Sequence, residues 1–82
     1  MSPLKMFTKE TDWAEHVKRF IKAELKRKDV TYAVLAERLA KYGFKESAPS
    51  LANKLRRGKF SATFFFAVMA AIGVEEIRLQ DL

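Results

Sequence analysis

Ser47, Ser50, Asn53, Lys54 and Arg57 follow one another at intervals of one or three residues in the stretch between Glu46 and Gly58. At about 100° per residue, Ser50, Asn53, Lys54 and Arg57 share one side of a helix, and Ala48, Leu51, Ala52 and Leu55 share the other. After Glu46 the polar side carries no acid. Helices that only cover a core commonly mix Glu with Lys on their outer face. Here short hydrogen-bonding side chains stand beside cations. Asn can pair with adenine through two hydrogen bonds, Arg or Lys with guanine, and Ser with base edges. The alternative is an ordinary amphipathic helix with a basic, solvated face. For Ser47, helix capping is the stronger expectation.

Other chemistries find little support. His16 is the only histidine and there is no cysteine, so a metal site is not expected. The serines have no His or Lys–Asp constellation around them, and no glycine-rich phosphate loop is present. The chain is not expected to be an enzyme, to carry a cofactor or to take a small-molecule ligand.

Four helices must position these residues. Thr11 is a candidate cap for the first, whose apolar positions Trp13, Val17, Phe20, Ile21 and Leu25 fall at helical spacing, with Trp13 expected as a core anchor on the fourth helix. Asp29 and Val30 break it. Thr31 caps the second helix, "YAVLAERLAKY", with Val30 and Leu35 placed as a hydrophobic staple. Gly43 ends it, and Phe44 is expected to tuck into the core. Ser47 caps the third, with Pro49 tolerated in its first turn, and Gly58 stops it. Phe60 should plug the next loop. Ser61 caps the fourth, "ATFFFAVMAAI", which Gly73 ends. The tail "VEEIRLQDL" fits a short helix or a strand. Residues 1–10 read as an N-terminal arm and 11–82 as one helix-turn-helix domain.

The 82 residues bound this to one modest core, for which oligomerisation is a reasonable expectation. The formal charge of +6 permits an anionic partner. Residues 18–28 carry six basic residues against Glu24, and residues 45–59 carry five against Glu46. Without cysteine, and with no signal-peptide core in "MSPLKMFTKE" or apolar run of spanning length, a cytoplasmic protein is expected, with no membrane partner.

A resemblance emerges from the ordered set of motifs. "VTYAVLAERLAKYG…SLANKLRRGKFSATFFFAVMAAIGV" resembles the DNA-binding domains of the phage repressor and Cro-like family and small bacterial helix-turn-helix proteins. The matches are Thr31 with Leu35-Ala36-Glu37-Arg38-Leu39, then Arg57-Gly58-Lys59, then Ile72-Gly73-Val74. The resemblance covers roughly residues 13–77. It implies an all-α, lambda-repressor-like bundle of four to five helices that binds double-stranded DNA, as a transcriptional regulator and a homodimer. A DNA-binding antitoxin or accessory factor, or a protein-interaction module on the same scaffold, remains the alternative.

In that pose Lys45, Ser47, Ser50, Asn53, Lys54 and Arg57 face the major groove. Thr31, Tyr32, Arg56 and Lys59 lie near phosphates. Three departures stand out: Tyr32 replaces a common Gln, the turn "YGFKESAP" is long, and Arg56 replaces a common Glu. Glu24 falls in the apolar stripe of the first helix and needs a cationic partner. The family often joins the first and third helices by an Arg–Glu pair, so Glu24 with Arg56 is the expected, inverted version. The dimer interface is expected on an apolar strip of the fourth helix, Phe64, Ala67 and Ala70, joined by Ile77 and Leu79. The inward stripe is then Phe65, Val68, Met69 and Ile72. A tail folded back over that strip within one chain is the competing arrangement.

Overall fold

A computed structural model describes residues 8–82. Residues 1–7 of the expected N-terminal arm lie outside the described residues. The order is α1 (Glu10–Arg27), α2 (Tyr32–Ala40), α3 (Ala48–Arg57), α4 (Ala62–Ile72) and a closing 3-10 turn, Leu79–Asp81. Among the described residues every element is helical, and no helix is long and apolar enough to cross a membrane.

The local stop and start signals act as expected in three places. Thr31 Oγ1 accepts the Val34 N–H (3.2 Å), Ser47 Oγ that of Ser50 (3.2 Å) and Ser61 Oγ that of Phe64 (3.1 Å). Each bond satisfies an N–H that has no partner within its helix. The first helix departs from expectation, starting at Glu10 instead of after Thr11. The Asp12 carboxylate reaches back to accept the Lys9 N–H (3.1 Å) and the Thr8 N–H (3.3 Å), so the start is fixed from inside the first turn. Between α1 and α2, Asp29 adopts a φ of 54°, turning the chain so that the Val30 N–H bonds to the Leu25 carbonyl (2.8 Å).

Ile21 and Leu25 of α1, Val30, Leu35 and Leu39 of α2, and Leu51 and Leu55 of α3 meet Phe64, Val68, Met69, Ala71 and Ile72 of α4 in one core. Arg38 adds a polar tie, donating to the Ala71 carbonyl (2.8 Å) near the end of α4, where carbonyls lack helical partners. Trp13 is not the core anchor expected of it: it is 38% exposed near the start of α1, ahead of the buried Ile21 and Leu25. The tail is neither a regular helix nor a strand over its length. Val74 and Ile77 pack against the core before the 3-10 turn, and Leu79 is exposed.

α4 also turns a different face outward. Phe64 is 3% exposed, with its ring edge-on to Phe44 (5.9 Å) and to Phe60 (5.5 Å). It cannot belong to an outer strip. Val68, Met69 and Ile72 are buried as expected, whereas Phe65 is half-buried and stacked on Phe60 (6.1 Å). Ala67 is half-buried and packs against the core. The outward residues are Ala62, Phe66 and Ala70, four apart, with Thr63 beside them and Phe66 66% exposed. The physical reason is space: Phe44 and Phe60 flank a gap that one large ring fills, and Phe64 is the ring in register with it.

The end of α3 is fixed by a close approach. Gly58 has a φ of 67°, and a Cβ at its position would lie 2.4 Å from the Ala14 carbonyl oxygen of α1. Gly73 has a φ of 94° but open space around it. Gly73→Ala should therefore cost about 1–2 kcal/mol for the left-handed backbone alone. Gly58→Ala should cost clearly more in urea unfolding, because the α1–α3 backbones must also separate. Equal losses at the two sites would show that the contact with Ala14 does not constrain the fold.

Candidate nucleic-acid interface

α3 presents its polar side away from Leu51 and Leu55, which are 0% and 2% exposed. The centre of that side is Asn53 and Arg57, both exposed. Pro49 and Arg56 flank them on one edge and are exposed as well. Lys45, just before the helix, is exposed too. Arg56 donates to the Asn53 side-chain oxygen (3.0 Å), a surface bond that leaves the Asn53 amide NH2 to donate elsewhere.

The other edge holds Ser50 and Lys54, and here the structure departs from the expected set. Ser50 Oγ donates to one Glu46 carboxylate oxygen (2.8 Å) and Lys54 Nζ bonds to the other. The Lys54 ammonium also stands 4.7 Å from the centre of the Phe64 ring. Ser50 and Lys54 are thus drawn to the flank of α3 that faces α4 and away from the outward centre. Of the residues expected to read bases, these two are therefore already engaged within the protein, the Lys54 ammonium by a carboxylate and an aromatic face. Ser47 is engaged as the cap of α3 and also holds its hydroxyl inward to the helix.

The expected phosphate group is likewise divided. Thr31 and Tyr32 stand together at the start of α2, with Thr31 exposed and Tyr32 half-buried. Lys59 bridges to Glu10 at the start of α1 (2.8 Å), with side chains 61% and 80% exposed, so water competes freely for both. Arg56 does not pair with Glu24. Gly58 lies against Ala14, ten residues before Glu24 along α1, so Arg56 sits roughly 15 Å of helix rise away from that carboxylate. Glu24, 9% exposed, instead takes both its hydrogen bonds from Arg27 on its own helix (2.9 and 2.6 Å).

Glu24 and Arg27 open onto a cleft of about 530 Å³ between α1 and the tail. His16, Arg19, Glu76, Arg78 and Leu82 are among the residues that line it. No group of three or more metal-ligating side chains exists among the described residues.

The molecule so described is a small all-helical domain with a basic, acid-poor face on its third helix. The chain belongs to the family described as "Domain of unknown function (DUF6471)", whose model matches residues 13–77. No curated protein and no solved structure matches it.

The Lys54 and Ser50 hydrogen bonds hold the Glu46 carboxyl below its ordinary range. A depressed native value means that the unfolded chain binds this proton more readily. The stabilisation is complete above the ordinary glutamate range near about 4.3 and is lost as pH falls through the lowered native value. Glu10 and Glu15 shift the same way beside Lys59 and Lys18, but they are exposed and salt screens them. Glu46→Gln should therefore be less stable than wild type at pH 7, and the gap should close on acidification. A gap that stays constant from pH 7 to pH 3 would show that Glu46 is not ion-paired.

Proposed function

We propose that this protein binds double-stranded DNA, with α2 and α3 acting as a helix-turn-helix and α3 entering the major groove. The observation that carries the reading is the outward centre of α3. Asn53 and Arg57 stand there between Lys45 and Arg56, with the nearest acid, Glu46, occupied on the flank. Asn53 and Arg57 are the base readers, matched to adenine and guanine. Lys45 and Arg56 take adjacent phosphates or base edges. Thr31 and Tyr32 set the start of α2 against the backbone, where helix N–H groups favour an anion, and Lys59 exchanges its exposed carboxylate for a phosphate. The role is that of a transcriptional regulator on a two-fold site, bound by two protomers. The apolar surface available for that pairing is Ala62, Phe66 and Ala70, with Leu79, in place of the strip built on Phe64.

Binding of random duplex DNA across a salt series tests this directly. With four to six phosphates neutralised, log K should fall with log salt at a slope of about −4 to −5 per protomer. Asn53→Ala and Arg57→Ala should keep the fold, since both side chains are exposed. On a selected site each should lose about 1–3 kcal/mol of discrimination at one base pair. Two protomers should load per two-fold duplex. A salt-independent response, or no retention at low salt, contradicts the reading.

A further inference from the structure

The carboxylate of Glu46 lies one residue before the cap of α3, yet it reaches two turns along that helix. It accepts from Ser50 Oγ (2.8 Å) and bonds Lys54 Nζ, and its side chain is only 9% exposed. Lys54 is 43% exposed and rests over the Phe64 ring at 4.7 Å. Phe64 is itself 3% exposed and wedged between Phe44 and Phe60, so the platform beneath Lys54 is rigid. Glu46 is also at the positive end of the α3 dipole, which favours its charge there. Glu46 and Phe64 therefore fix Lys54 from two directions. By contrast, Lys59 and Lys18 are held only by exposed carboxylates on the protein surface.

We propose that Glu46 determines which residues of α3 meet DNA: it withholds Lys54 and Ser50 from the nucleic acid and so confines contact from this helix to Asn53, Arg56 and Arg57. The inference rests on the DNA reading above. Its chemistry is competition between one carboxylate and a phosphate for the same ammonium. A phosphate gains Lys54 only by leaving Glu46 without its cation, with Ser50 Oγ as its remaining partner, so the carboxylate opposes the exchange. Glu46 also repels the backbone on that flank. Sequence-independent attraction is thereby lowered while the two readers are left untouched, which raises the ratio of specific to non-specific binding.

The test measures salt-dependent binding of random duplex DNA by wild type, Lys54→Ala, Glu46→Gln and the double variant Glu46→Gln/Lys54→Ala, each checked for native helix content by circular dichroism. Lys54→Ala should leave the wild-type slope unchanged. Glu46→Gln should steepen it by about 0.9, the increment for one more neutralised phosphate. Adding Lys54→Ala to Glu46→Gln should remove that increment. A rise in affinity of the same size with Lys54 present or absent would mean that Glu46 acts only as a repelling charge, and overturns the proposal. So does a slope that becomes shallower by about 0.9 in Lys54→Ala alone, since Lys54 would then already contact phosphate; this outcome needs no Glu46 variant to fold. In either case salt-dependent binding by wild type leaves the DNA reading standing. A flat response in all four proteins overturns both.

Discussion

The backbone of α3 passes α1 where Gly58 meets Ala14, at a distance that admits no side chain. Much of the surface chemistry follows from that contact. It stops α3 at Arg57, in the left-handed turn only glycine adopts without strain. It places Lys59 beside Glu10 and keeps Arg56 far from Glu24. With Leu51 and Leu55 fixed in the core on the opposite side, the rotation of α3 about its axis is set. Asn53 and Arg57 face outward because the helix has no other way to satisfy the glycine contact and the two leucines together.

Charge is arranged around this frame with economy. Among the described residues, Glu10, Glu15, Glu24 and Glu46 are each tied to a Lys or Arg. Three of these pairs are close to or on α1, and one covers the flank of α3. Among the same residues Lys45 and Arg57 form no ion pair. Arg19, Lys22, Lys26 and Lys28, on or just after α1, are likewise exposed and form no ion pair, so the net positive charge is expressed both along α1 and at either end of the outward asparagine. The buried Glu24 illustrates the opposite use of charge: a carboxylate 9% exposed accepts two hydrogen bonds from a guanidinium one turn away on its own helix.

What could be read from the sequence was local. Thr31, Ser47 and Ser61 cap helices because each offers a hydroxyl at the right offset, and Gly43, Gly58 and Gly73 take positive φ because the chain must turn there. Leu51 and Leu55 mark the buried side of α3 because four-residue spacing is unambiguous when the other side is polar. The inner face of α4 is not legible for the converse reason. "FFFAVMAAI" is apolar all round, so periodicity carries no information about its inner face. That face was chosen by Phe44 and Phe60, which are distant in sequence or lie in a loop. The size and apolarity of Trp13 suggest a core anchor, but its place near the helix start leaves it 38% exposed. The role of Glu46 is not legible in the sequence because its partners, Ser50 and Lys54, four and eight residues on, depend on how its side chain folds back over the helix. The one hint was its being the single acid in an otherwise basic segment.

The central claim is that the outward face of α3 is where double-stranded DNA lies. Backbone amide chemical-shift mapping on titration with a short duplex at low salt addresses it most directly, because it reports position without assuming which residues matter. The account predicts that the largest shifts fall on residues 45–57 and at 31–34, with α4 around Phe66 changed only if protomers pair. Perturbations concentrated instead on the cleft between α1 and the tail, around Arg19 and Arg78, would contradict it.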